Sequence, residues 1–340
     1  MINAAVVGVG YWGPNLLRNL VENEKIRVKW ICDLNTRSID KMTRRYPGVE
    51  GTTRFADIIN DTNIDLVVIA TPVQNHSQLA IEAMKAGKHV LVTKPMAQTE
   101  AQCLEMIETA EKTGRLLMVD HTFVYHPAVR QIAEMMDRNA LGSLLYFQST
   151  RMNLGIYQPD VSVIFDLMAH DLSILNQITK DDPVEACVAA KHAAGFPQPD
   201  IAYLQLNYNS GFIASIQASW LSPYKVRQTI ITGSKKMILY DDNDVTEKVR
   251  VFDKGVDSAD FTDKEANYTK FIQYRQGDVH SPALPVTEAL KIEIEHLVDC
   301  IEHHKAPKTD GLEGLRVVRI LEHADNLARS HKSWVPLKAA

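Results

Sequence analysis

Four groups of residues in this 340-residue chain are of types and spacings that can carry chemistry. Asp166 and His170 stand four apart, which puts both side chains on one face of a helix. A histidine is suited to accept a hydroxyl proton near neutral pH, and a neighbouring carboxylate can orient it and raise its basicity. The same spacing serves a plain surface ion pair, but here the two residues interrupt an apolar stretch, Val163-Ile164-Phe165 and Leu167-Met168. Lys94-Pro95 follows the run HVLVT. A lysine at the carboxyl end of a strand can reach a substrate cavity and stabilise a developing alkoxide, although most lysines are solvated surface charges. The proline fixes the backbone beside it, and a cis bond is one way of doing so. Thr71-Pro72 also ends an apolar run, with Asn75 and His76 opening the helical segment after it. These polar groups suit either a ligand at the strand end or simple capping of a βα turn.

The fourth group is Gly8-Val9-Gly10-Tyr11-Trp12-Gly13, directly after AAVV and directly before a helical pattern. In such a turn the first glycine permits the tight bend and the second lets the backbone approach a pyrophosphate. The third allows close helix–strand packing, and the helix N-terminus adds amide donors and a favourable dipole. Glycine-rich turns also arise for structural reasons, so the context matters. Asp33 ends the next strand, twenty residues past Gly13. An acid there accepts hydrogen bonds from ribose hydroxyls and repels a 2′-phosphate, which favours NAD. Arg37 lies close enough in sequence to leave NADP in play.

The elements that must position these groups alternate over the first 120 residues. Short apolar runs at 4–7, 28–32, 66–70, 89–92 and 116–119 read as buried parallel strands. Helical spacing over 78–86 and 100–112 lies between them, and Gly87 and Gly114 supply helix stops. Such alternation predicts a doubly wound α/β domain over 1–120. From 121 to 340 the pattern changes to an α+β domain for substrate binding and oligomerisation, whose last helices can pack back on the first domain. Helices are expected over 127–137 and 165–178, with strands at 144–151, 184–190, 202–208, 212–220, 227–232 and 236–240. Consecutive strands with turns between them predict a mainly antiparallel sheet. Residues 252–285 read as a polar, aperiodic excursion, and two helices close the chain at 288–303 and 312–327.

Composition excludes several classes. Apolar residues make up 45% and charged residues 23%, with 37 Lys and Arg against 42 Asp and Glu, a formal charge of −5. That is the make-up of an ordinary globular protein with no basic block, so neither nucleic acid nor an anionic membrane surface is expected as a partner. The longest apolar run, 66–70, is too short to cross a bilayer, and MINAAVVGVG lacks the charged start of a secretory signal. Cys32, Cys103, Cys187 and Cys300 lie far apart, as free thiols of a reducing cytoplasm would. His121, His126, His303 and His304 show no metal-ligand spacing, and no G-x-S-x-G elbow is present, so neither a metal nor a serine nucleophile is expected.

With these groups in order, the sequence closely resembles the Gfo/Idh/MocA oxidoreductase family over nearly its whole length. The resemblance rests on the glycine motif, ATPVQNHSQLAIEAMKAGKHVLVTKP and the D-x-x-x-H pair. It implies a Rossmann domain followed by an open, mainly antiparallel sheet that often forms an oligomer interface. It also implies Lys94, Asp166 and His170 as the catalytic group. A narrower resemblance is to the nucleotide-sugar 3-dehydrogenases, the UDP-N-acetylglucosamine 3-dehydrogenase-like branch. It rests on GYWGPNLLRN, DHTFVYHPAVR, STRMNLG, DLMAHDLSIL and SWLSPYKVRQTIITGSKKMILYDD. By this resemblance Arg151 and Asn153 approach the substrate and Lys225 or Arg227 faces its diphosphate.

The implied reaction is NAD-dependent oxidation of the C3 hydroxyl of a UDP-N-acetylhexosamine, with UDP-N-acetylglucosamine as the first candidate. A PLP aminotransferase would consume the ketone on the way to a lipopolysaccharide 3-amino sugar, and the enzyme would be a homodimer or homotetramer. Oxidation of the corresponding uronic acid, reduction of a 3-ketosugar, and a non-catalytic dinucleotide-binding sensor remain the alternatives. One departure stands out. The family usually has Glu-Lys-Pro, and here Thr93 precedes the lysine. That removes a negative charge beside Lys94 and puts its orientation in question.

Overall fold

The computed structural model describes residues 1–155, 157, 161–257 and 273–330. They form two compact units, Met1–His126 with Thr287–His323, and Pro127–Val286 with the chain from Ala324. The second unit begins at Pro127, and the chain returns to the first unit at Thr287.

In the first unit the strands are β1 (Ile2–Val7), β2 (Ile26–Cys32), β3 (Glu50–Thr52), β4 (Leu66–Ile69), β5 (His89–Thr93) and β6 (Leu117–Asp120). The helices between them are α1 (Gly13–Glu22), α2 (Thr36–Arg45), α3 (Phe55–Asn60), α4 (His76–Lys85) and α5 (Glu100–Thr113). All strand pairs are parallel and the order is β3-β2-β1-β4-β5-β6, the doubly wound arrangement whose ligands bind at the strands' carboxyl ends. Strand β3, with sequence EGT, has no apolar run to announce it. It exists because it pairs Glu50, Gly51 and Thr52 with Trp30, Ile31 and Cys32. Helix α5 opens with a reciprocal capping box between Thr99 and Gln102 and stops at Gly114 with φ +61°. Such a cap is worth about 1 kcal/mol.

The second unit contains α6 (Pro127–Asp137), β7 (Leu144–Leu154), a single π-helical turn over Ile164–Met168 and α7 (Ala169–Ile178). The strands β8 (Glu185–Lys191), β9 (Ile201–Asn207), β10 (Ile213–Ser219), β11 (Leu221–Gly233), β12 (Met237–Asp241) and β13 (Val249–Phe252) follow. A short pair, β14 (Gly255–Asp257) with β15 (Gln273–Arg275), precedes β16 (Val279–His280). The main sheet runs β16-β13-β12-β11-β7-β10-β9-β8, antiparallel except between β7 and β10. Its buried face carries Phe147, Val188, Leu204, Leu206, Ala214, Ile216, Ile231 and Ile238. The expected polar excursion at 252–285 therefore contains ordered strand pairs, and its part at 258–272 lies outside the described residues.

The last helices are α8 (Ala289–His303) and α9 (Gly311–Arg329). Leu290, Ile294, Leu297 and Val298 of α8 join the core that holds Ile2, Ala4 and Val6 of β1 with Leu16, Leu17 and Leu20 of α1. Leu315 and Val318 of α9 join the core on the other sheet face, with Val67, Ile69, Val90 and Val92. Burying each such side chain contributes about 1.5–3 kcal/mol. Between the two helices, Thr309-Asp310 runs beside β6. The Val119 N–H donates to Thr309 O at 2.8 Å, and Asp310 bridges antiparallel to Met118.

Candidate active site

The first unit gathers one set of groups at the carboxyl ends of β1, β2, β4, β5 and β6. Gly8 has φ +90°, and a Cβ there would lie 2.5 Å from Ala70 O. A Cβ on Gly13 would lie 2.0 Å from Gly8 O, so α1 begins hard against the turn. Gly10 differs, since a Cβ there would meet nothing within 4 Å. The first and third glycines serve packing, and the second presents bare backbone outward, as a pyrophosphate needs. Asp33 accepts the Val9 N–H at 2.8 Å through Oδ2 and the Asn35 N–H at 2.8 Å through Oδ1. It is thereby aimed across the turn, with second lone pairs for ribose hydroxyls. Tyr11 is exposed, whereas the Trp12 indole N–H donates to Asp120 Oδ2 at 2.6 Å. Arg37 is exposed in the first turn of α2. The turn, the acid and the helix N-terminus fit a dinucleotide.

His76 and Lys94 hold the neighbouring strand ends. His76 is buried, with Nδ1 2.9 Å from Pro95 O and Nε2 2.8 Å from Thr71 O. Its ring staples the loop after β4 to the loop after β5, while Pro72 and Asn75 stay exposed beside it. Burial pushes the imidazole's pKa down against those carbonyls. Thr93, also buried, places its hydroxyl 3.4 Å from His76 Nε2. The side chain just before Lys94 thus faces this histidine. Lys94 follows, partly buried, and its bond to Pro95 is cis. His121, next after β6, is buried too, and among the described residues neither ring nitrogen has a hydrogen-bond partner. Burial, reinforced by the Lys94 charge, pushes its pKa down to about 3, so it is neutral.

The second unit holds the other set. Asp166 lies on the π-helical turn and His170 in the first turn of α7. Wide turns of this kind are rare and often occur at functional sites. The Trp220 indole N–H donates to Asp166 Oδ2 at 3.1 Å and fixes that carboxylate. Trp220 is itself tied at both backbone ends, its N–H to Asp200 O at 3.0 Å and its O to the Gly155 N–H at 3.1 Å. Tyr157 packs edge-on to its ring.

Arg151 forks onto Asp171, Nε to Oδ2 at 2.9 Å and Nη2 to Oδ1 at 3.0 Å. Both side chains are buried, and although burial opposes the charge, Asp171 keeps the guanidinium's pKa above its usual value. Arg227 pairs with Arg151 across the β11–β7 ladder and donates to Asp242 Oδ2 at 3.0 Å. Lys248 lies 3.6 Å from Asp242 Oδ1. Lys225 is exposed, and the like charge of Arg227 is the main cause pulling its pKa down. Asn153 Oδ1 is buried without a partner among the described residues. Among those residues no group of acids, histidines and cysteines is arranged to hold a metal.

Trp220, Lys248 and the Thr93–His76 contact were not read from the sequence. Trp220 lies in the quoted SWLSP stretch, but only the fold brings it to Asp166, 54 residues away.

Two family models match the chain. Residues 2–121 match the oxidoreductase family with an NAD-binding Rossmann fold, and residues 129–239 match the GFO/IDH/MocA C-terminal domain. Inositol 2-dehydrogenase 2 of Saccharopolyspora erythraea is 25% identical over 225 residues, 64% of this chain and 66% of that protein. A glycosyl hydrolase family 109 protein of Shewanella baltica is 29% identical over 155 residues, which is 43% of this chain and 34% of that one. These alignments span less than two thirds of either relative. Among solved structures, UDP-N-acetylglucosamine 3-dehydrogenase GnnA from Acidithiobacillus ferrooxidans superposes with a TM-score of 0.81 at 22% identity, covering 97% of this chain and 98% of that one. At that identity the likeness is one of fold.

Proposed function

This chain belongs to the Gfo/Idh/MocA oxidoreductase family, and from that premise we propose that it oxidises the C3 hydroxyl of a UDP-N-acetylhexosamine, UDP-N-acetylglucosamine first, to the 3-keto sugar nucleotide. NAD, when bound to the glycine turn and Asp33, supplies the acceptor for the hydride leaving C3. His170 takes the hydroxyl proton, with its ring oriented by Asp166, which Trp220 holds in place. Lys94 stabilises the negative charge that develops on the oxygen.

The observation that carries the substrate class is the cationic cluster of the second unit. Arg151, Lys225, Arg227 and Lys248 gather around Asp171 and Asp242, in a chain whose formal charge is −5. Like charges directly across a ladder are destabilising. Keeping Arg151 opposite Arg227 is reasonable where an anion completes the cluster, and a diphosphate is such an anion. Remote binding of that group holds C3 in the reactive geometry. The fold shared with a UDP-N-acetylglucosamine 3-dehydrogenase supports the same reading. The ketone is a natural aminotransferase substrate, so we place a PLP enzyme next in sequence. Exposed Tyr203, Ile213 and Ile230 on the strands of the second sheet support self-association into a dimer or tetramer, which sedimentation would measure.

The test is NADH formation with UDP-N-acetylglucosamine and, in parallel, its uronic acid, with an aminotransferase and glutamate removing ketone. Turnover with the neutral sugar is the expected result. Turnover with the uronate alone keeps the mechanism and changes the substrate. NAD binding without turnover of either overturns the oxidation and favours the reductase or the sensor. Lys94→Ala and His170→Ala should each lower kcat by about 10²–10⁴-fold with NAD affinity intact.

A further inference from the structure

Glu293 occupies a place where a charged residue is not expected. It lies on the face of α8 that carries Leu290, Ile294 and Leu297, it has no solvent exposure, and among the described residues neither oxygen meets a hydrogen-bond donor. The groups acting on it are Asp120, at the end of β6, and the Thr122 hydroxyl. The Thr122 hydrogen is already committed, since its Oγ1 donates to Asp120 Oδ1 at 2.5 Å. The other Asp120 oxygen receives the Trp12 indole N–H at 2.6 Å. Asp120 therefore accepts on both oxygens while a second carboxyl faces it. Two adjacent buried carboxylates cannot both be ionised. The one hydrogen that can satisfy this contact is a proton carried by Glu293 itself.

We propose that Glu293 is a protonated positioning residue for the cofactor turn: its O–H donates to Asp120, and Asp120 in turn holds Trp12 and with it the Gly8–Gly13 turn in its NAD-binding shape. The neighbourhood favours the neutral acid. Burial and the Asp120 carboxylate both push the Glu293 pKa well above the usual carboxyl range. Tyr125, on the turn after β6, has its phenol raised by burial and then by Glu293. It bonds Thr309 Oγ1 at 3.0 Å, feels Cys300 of α8, and packs on the His296 ring. No cation figures among the groups acting on Glu293. Loss of the proton would set a second anion against Asp120 and loosen its hold on Trp12, so NAD affinity should fall at alkaline pH.

The inference concerns NAD binding and stands whatever the sugar substrate. Infrared spectroscopy of the intact protein at neutral pH should show the carbonyl band of a protonated carboxylic acid, lost in Glu293→Gln. Calorimetry should find that Glu293→Gln, which keeps a neutral donor, binds NAD within about twofold of the parent. Glu293→Leu, which has none, should bind about tenfold more weakly. The parent's affinity should decline at high pH, and that decline should vanish in both Glu293→Gln and Trp12→Phe. The proposal is overturned by absence of the band, by a band that survives in Glu293→Gln, by Gln and Leu variants that bind NAD alike, or by an alkaline decline that persists in Glu293→Gln. The spectrum of the unaltered protein decides the protonation even where a variant fails to fold.

Discussion

Three histidines make the first unit sensitive to acid. His76, His89 and His121 all have pKa values lowered, in each case chiefly by burial, and His121 falls from 6.5 to about 3. A histidine whose folded pKa lies below its unfolded one gives stability that is present above the unfolded pKa and lost as pH falls toward the folded one. Between 6.5 and about 3, His121 alone should therefore cost roughly 1.4 kcal/mol of stability per pH unit. Denaturant titrations across that range should give a shallower acid limb for His121→Phe than for the parent; equal limbs would mean that the imidazole is not held neutral. Trp220 supplies a prediction of a different kind. Replacing it with Phe keeps the ring packing and removes the N–H on Asp166. We expect kcat for the sugar to drop by about tenfold with NAD affinity unchanged, since the loss of one charge-assisted hydrogen bond is worth about 1.5 kcal/mol. Unchanged kcat would show that Asp166 needs no such support.

Elements differ in how openly the sequence declares them. Strands β1, β2, β4, β5 and β6 were legible because both their faces are buried, which leaves continuous apolar runs. Strand β3 was not, because three residues without an apolar run carry no periodicity. The π-helical turn was hidden for another reason: a sequence shows the four-residue spacing of Asp166 and His170, but not which backbone hydrogen bonds span it. Glu293 did leave a signal, an acid at an apolar-face position of α8, whose meaning needed Asp120 beside it. The glycine turn separates two roles that the motif merges. Gly13→Ala should destabilise the fold by several kcal/mol, because its Cβ would sit 2.0 Å from backbone. Gly10→Ala should melt like the parent yet lose most NAD affinity. A matched pair of melting and binding curves tests both. Helix α7 is clamped to β7 by the Arg151–Asp171 fork, and Asp171→Asn should cost about 3–5 kcal/mol by leaving a buried charge unanswered.

At the scale of the whole molecule, the local arrangement of charge matters more than its total. A chain of formal charge −5 concentrates Arg151, Lys225, Arg227 and Lys248 in its second unit. Raising ionic strength should therefore raise KM for the nucleotide sugar more than it weakens NAD binding, and equal sensitivities would remove the argument for a diphosphate there. Partnerships over such distances are what the sequence could not display, Trp12 with Asp120 being 108 residues apart. The return of the chain to its first unit also has a consequence in time. On the ribosome, β6 is complete at Asp120, but Leu290, Ile294 and Leu297 of α8 are added only after the Pro127–Val286 segment of the second unit. At a typical rate of synthesis that interval is roughly 10–30 seconds. Throughout it the apolar faces of β1 and α1 wait uncovered, which makes the nascent cofactor domain a natural client for chaperones until α8 emerges.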